Sequence, residues 1–166
     1  MKAVVVYESL WGNTAAAAKA IAEGIGGDAR AVSTAEATSD IVKDADLIVA
    51  GAPLLGFKLP DDAMRQSIGA NKANPTPDLS HPAMRDWLAK LPAGTGRGAG
   101  FETRIWWSPG SAAKTIAESL ATLGYEPAAP AEKFIVTGKY GPLKDGELDR
   151  ARAWGATLAQ AVESAR

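Results

Sequence analysis

Ala3-Val4-Val5-Val6-Tyr7-Glu8-Ser9-Leu10-Trp11-Gly12-Asn13-Thr14 passes from an apolar, β-branched run through a short polar loop into an alanine-rich segment. Ala3 to Tyr7 is apolar at successive positions, which suits a strand buried on both faces. Thr14 to Ile25 sets Ala18, Ile21, Ala22 and Ile25 at helical spacing and stops at Gly26-Gly27. In a parallel α/β sheet, a loop joining such a strand to such a helix lies at the strand's carboxyl end, where ligands bind. The first N–H groups of the helix are unpaired there, and the helix dipole favours an anion. Ser9 and Thr14 can add hydroxyl donors, and Gly12 permits close backbone approach. The loop holds no Lys or Arg, so an anion would rest on neutral donors alone. The competing reading is that Ser9 and Thr14 only cap the helix.

Working outward, short apolar runs alternate with helical patterns. Ala29 to Ser33 reads as a short second strand, Thr38 to Asp44 as a short helix, and Leu47-Ile48-Val49-Ala50-Gly51 as a second buried strand. Residues 52–60 are loop. Asp61 to His81 is polar, with Asn71, Asn74, Pro75 and Pro77, and reads as a short helix followed by an irregular excursion. Pro82 opens a helix with Met84, Trp87, Leu88 and Leu91 on one face, stopped by Pro92. The glycine-rich run Gly94 to Gly98 leads into a strand over Ala99 to Ile105. Ser111 is an N-cap for a helix carrying Ala112, Ile116, Leu120 and Leu123, closed by Gly124. Phe134-Ile135-Val136 is the last strand, and Glu147 to Ser164 is the terminal helix. Five repeats of strand and helix imply a parallel sheet with helices on both faces. Trp87 and Trp154 lie on apolar helical faces and read as core.

The totals exclude several classes of function. The chain has 166 residues, which fits one domain over 1–166. Lys+Arg is 18 and Asp+Glu 19, a formal net charge of -1 with no basic cluster, so no nucleic-acid partner is expected. Cys is absent, which removes disulfides and thiolate catalysis, and one His removes a multi-histidine metal site. No stretch approaches the roughly 18 apolar residues of a membrane span, and the apolar N-terminal run is too short for a signal peptide. The cytoplasm is the expected location.

Two phosphate motifs can be set aside. G-x-x-x-x-G-K-[ST] is absent, and Gly94-Thr95-Gly96-Arg97-Gly98 precedes a strand instead of following one. Glu8 to Thr14 instead looks like the FMN-phosphate loop of flavodoxins, whose usual form is [ST]-x-T-G-x-T. Trp11 stands where that pattern has Thr. Similar segments are spread over nearly the whole chain: Leu47 to Pro53, Met84-Arg85-Asp86-Trp87-Leu88, Phe101-Glu102-Thr103-Arg104, Gly110-Ser111-Ala112-Ala113-Lys114, and Gly141-Pro142-Leu143 with Glu147-Leu148 and Trp154-Gly155. They resemble a group of flavodoxin-domain proteins common in actinobacteria.

The resemblance implies a flavodoxin-like five-stranded parallel sheet in the order 2-1-3-4-5. It also implies FMN, with the phosphate at Ser9, Leu10, Trp11, Gly12, Asn13 and Thr14. Two further loops would hold the isoalloxazine ring: Pro53, Leu54, Leu55, Gly56 and Phe57 from one, and Thr103, Arg104, Trp106 and Trp107 from the other. Group members often carry Thr-His where Leu54-Leu55 stand. Gly56 matches the peptide whose carbonyl turns towards the reduced ring in flavodoxins. Trp106 and Trp107 are adjacent and should face different ways, one to the core and one to the flavin. Arg104 could face a reduced flavin or pair with Glu8 or Glu102. Trp11 could be exposed, cover the cofactor edge or anchor a partner. His81 reads as a surface loop residue.

The function expected first is an electron carrier, monomeric or weakly dimeric, working between a reductase and an acceptor. Flavodoxin carriers are typically strongly acidic, and this chain is not. An FMN-dependent NAD(P)H quinone reductase and a flavodoxin-like module without FMN are the alternatives.

Overall fold

The computed structural model describes residues 1–71 and 75–166. Asn74 of the polar excursion lies outside the described residues. The strands are β1 (Ala3–Tyr7), β2 (Arg30–Ser33), β3 (Leu47–Pro53), β4 (Arg97–Ile105), β5 (Glu126–Pro127) and β6 (Glu132–Val136). The helices are α1 (Asn13–Ile25), α2 (Ser39–Val42), α3 (Asp62–Ala70), α4 (Met84–Lys90), α5 (Ala112–Thr122) and α6 (Glu147–Ser164). All strand pairs are parallel, in the order β2-β1-β3-β4-β5, with β6 also on β4. Val5 sits beside Val49 and Ala31, so the centre of the sheet is apolar along each row.

Alternation sends the side chains of each strand to two cores. Val4, Val6, Ile48 and Ala50 join Trp87, Leu88, Ile116 and Leu120 of α4 and α5 on one face. Val5, Leu47, Val49 and Phe101 join Ile21 of α1 and Trp154 and Leu158 of α6 on the other. Phe101, Phe134 and Trp154 meet edge to face, with centroids 6.1–6.3 Å apart. The α1–α6 contact is close enough that a Cβ on Gly24 would strike the carbonyl of Arg152, and one on Gly155 the carbonyl of Ile21. Among the described residues, no helix is long and apolar enough to cross a membrane.

Several boundaries move for identifiable reasons. The helix at Thr38 shrinks to Ser39–Val42, because Lys43 leaves the helical region and Asp44 has φ 55°. The helix read as opening at Pro82 begins at Met84, whose N–H donates to the distant Glu8 Oε1 at 2.9 Å. Arg97 and Gly98, read as the end of the glycine-rich run before the strand, extend β4 and pair with β3. The last sheet position is filled in two pieces, because Pro127 and Pro130 cannot donate to a ladder.

Candidate functional site

The loop between β1 and α1 is shaped from within. Ser9 Oγ accepts from both Gly12 N–H and Ala15 N–H at 3.1 Å, capping α1 while its own hydroxyl proton remains to donate. Gly12 has φ 91° with open space where a Cβ would stand, a conformation that disfavours any L side chain. The N–H groups of Leu10, Trp11, Asn13 and Thr14 make no hydrogen bond among the described residues. They lie in sequence at the N-terminus of α1, where free N–H groups and the helix dipole suit an oxyanion. The Thr14 hydroxyl is turned to the sheet, 2.8 Å from Thr103 Oγ1, and Asn13 Nδ2 donates to Tyr140 O at 3.0 Å.

Glu8 opens the loop but faces inward. Its Oε1 accepts from Met84 N–H, and its Oε2 lies 3.5 Å from Arg65 Nε, neither atom of that pair making a hydrogen bond among the described residues. Burial raises the Glu8 carboxyl above its ordinary range, against the opposing pull of the Met84 N–H and the Arg65 charge.

Two further loops rise at the same edge. Pro53 ends β3, and Leu54 N–H donates to Thr103 O at 2.9 Å, burying both Pro53 and Leu54. Leu55 and Lys58 exchange backbone bonds at 3.1 Å around Gly56 (φ 55°) and Phe57 (φ 67°), a tight turn of mirror-image type. Phe57 projects from its tip, 57% exposed. The Phe57 carbonyl packs on Gly110, so this turn touches the loop after β4.

That second loop hangs on a buried brace. Glu102 accepts from Ser111 Oγ and Ala113 N–H at 3.0 Å and pairs with Arg104 at 3.2 Å. Arg104 also donates to Gly110 O at 2.9 Å. Arg104 therefore closes the loop through Glu102. The expectation that one of Trp106 and Trp107 enters the core does not hold: they are 74% and 61% exposed. The chain turns immediately after Ile105, with Ser108 N–H bonded to Ile105 O, and the buried residues that follow are Ala112 and Ala113 at the start of α5.

Sequence reasoning missed the residues that cover the first loop. His81, read as surface, is 5% exposed, and its Nε2 accepts from Ser9 N–H at 3.0 Å. Arg65, buried from α3, donates to His81 O at 2.5 Å. Asp78 N–H donates to Leu10 O at 2.8 Å, and Trp11 Nε1 to Pro75 O at 3.1 Å. The polar excursion is thus α3 plus a segment, Pro75 to His81, laid against the loop. Trp11 also meets Tyr140 edge to face, centroids 5.0 Å apart. Tyr140, an aromatic in the loop after β6, was legible as a candidate by its position; a lone His beside Pro carried no such signal.

No family model matches this chain, and no curated protein matches it. Solved structures do. An archaeal flavodoxin superposes with TM-score 0.70 at 26% identity, covering 98% of this chain and 99% of its own. The chain has the flavodoxin-like fold. Oxidised flavodoxin 1 of Bacillus cereus gives TM-score 0.69 at 20% identity over 96% and 98% of the two chains. A Streptococcus pneumoniae flavodoxin gives 0.65 at 14% identity over 99% of each. In this flavodoxin-like fold the three loops after β1, β3 and β4 share one sheet edge at the point where strand order reverses about β1, the position of ligand sites in such sheets.

Proposed function

We propose that this flavodoxin-like protein binds FMN at the carboxyl edge of its sheet and relays electrons between a reductase and an acceptor. The observation that carries the reading is the set of four backbone N–H groups, Leu10, Trp11, Asn13 and Thr14, that one loop leaves without a protein acceptor among the described residues. They suit a phosphate monoester, with the α1 dipole and the Ser9 hydroxyl proton adding to them. A flat ring suits the exposed aromatics Phe57, Trp106 and Trp107 on the two neighbouring loops. Bound FMN would supply the redox chemistry, and the protein would supply position and dielectric. The similarity to a flavodoxin described in its oxidised form supports the same reading.

Each loop has a separate task. Leu10 to Thr14 grip the phosphate, and the Leu55–Lys58 turn presents Phe57 to the ring. The Glu102–Arg104–Ser111 brace holds Trp106 and Trp107 in place. Adjacent residues cannot both lie flat on one ring, so one tryptophan is left at the rim, where an aromatic anchor suits a protein partner. Lys58, next to Phe57 on the turn, is neutralised by Asp61 at 2.8 Å. Docking of the redox partner therefore depends on apolar contact more than on charge.

The test is the visible spectrum of the purified protein and a titration of its apo form with FMN and riboflavin. FMN should bind at micromolar or better affinity and riboflavin at least tenfold more weakly, a difference of about 1.4 kcal/mol carried by the phosphate. A colourless protein that ignores both flavins would make a cofactor-free binding module the function instead.

A further inference from the structure

The segment Pro75 to His81 holds the phosphate loop at three separate residues. Of the three acceptors in these bonds, two are backbone carbonyls that accept at any pH: Pro75 O of the segment, for Trp11 Nε1–H, and Leu10 O of the loop, for Asp78 N–H. The third is an imidazole nitrogen, His81 Nε2, which accepts from Ser9 N–H only while unprotonated. This bond places the imidazole proton on Nδ1, which lies 3.8 Å from Asp78 Oδ1. Ser9 is in turn the residue whose hydroxyl caps Gly12 and Ala15. A shift of the Ser9 backbone therefore withdraws the cap and disorders the N–H array that follows it. The base of the segment is fixed independently, by Arg65 on the His81 carbonyl and by Asp61 capping α3 through Met64 N–H at 2.8 Å.

Resting on the FMN reading, we infer that His81 is a positioning residue for the phosphate loop, and that recognition of the phosphate monoester requires its neutral Nδ1–H form. Protonation would set Nε2–H against Ser9 N–H, donor against donor. The charged and titratable groups around His81 are Asp78 on its own segment, Arg65 from α3 with Glu8 beyond it, and Tyr7 and Glu36 across a cavity of about 520 Å³. Burial holds the imidazole below its ordinary range with help from the Arg65 charge, and Asp78 opposes them.

His81 is the chain's single histidine, so the nitrogen chemical shifts of its ring are unambiguous. Heteronuclear NMR on the apo protein should show the Nδ1–H tautomer, titrating below pH 6.5. The affinity ratio of FMN to riboflavin should then be measured from pH 8 to 5 for wild type, His81→Gln and His81→Leu. The Gln side-chain oxygen can take the place of Nε2 and does not titrate, so this variant also controls for ionisation of the FMN phosphate itself. Wild type should lose about tenfold more discrimination than His81→Gln as the pH falls, and His81→Leu should already be about tenfold worse at pH 8, the usual cost of a lost buried partner. An Nε2–H tautomer, or equal ratios and pH profiles in all three proteins, overturns the inference. A protein that binds neither flavin overturns the FMN reading and the phosphate consequence with it, while the tautomer still decides whether His81 holds Ser9.

Discussion

Glu102 and Glu8 are both buried carboxylates at the carboxyl edge, and their surroundings differ. Glu102 receives two donors and a guanidinium, whereas Glu8 Oε2 faces Arg65 Nε without a hydrogen bond. Removing the Glu102 charge should therefore strand Arg104. Glu102→Gln is expected to cost about 3 kcal/mol in urea unfolding. Adding Arg104→Met should recover part of that loss, because the two residues act as one pair; strictly additive losses would show that the pair does not hold the loop. In the sequence this brace was half legible. The sequence sets Arg104 beside the ring or against a glutamate, and in the structure its partner is the glutamate two positions before it, on the same side of β4.

The helix pair α1–α6 shows what spacing alone does not show. The apolar periodicity of both helices was readable, and α6 runs over Glu147–Ser164 as expected. The closeness of their approach was not, since it rests on Gly24 facing the Arg152 carbonyl and Gly155 facing the Ile21 carbonyl. Gly155→Val should force the helices apart and cost about 1–3 kcal/mol, read as a lower thermal midpoint with unchanged helical circular dichroism. No loss would mean that the pair can slide to accommodate the side chain. At the sheet edge the same limit appears. Only Phe134 to Val136 reads as strand, yet Glu126–Pro127 and Glu132–Val136 together fill the position, pairing with the edge of β4 that β3 leaves free.

For the whole molecule, the pH dependence of folding follows from groups that burial moves in opposite directions. His81 lies below its ordinary value of 6.5, so its neutral form favours the fold. That stability is present above about pH 6.5 and is lost as pH falls through the lower folded value. Glu8 is raised above 4.5 by burial, so ionising it opposes folding, and this penalty disappears as pH falls. The urea midpoint of the wild type should decline below pH 6.5, and His81→Gln should remove that decline while leaving the opposing Glu8 effect. Parallel curves for the two proteins would show that His81 titrates alike folded and unfolded.

The order of strands and helices, the two-sided burial of β1 and β3, and the loop at the head of α1 were determined by the sequence itself. Each is a local property: a run of β-branched residues, a helical spacing, a glycine at a turn. The tertiary structure alone decided that His81 bonds Ser9, that Thr14 spends its hydroxyl on Thr103, and that Trp106 and Trp107 both stand in solvent. These pairings join residues 72 and 89 positions apart, or follow from space already filled by other side chains. A buried polar group must find a partner, but which one it finds depends on where the rest of the chain has brought a complementary atom.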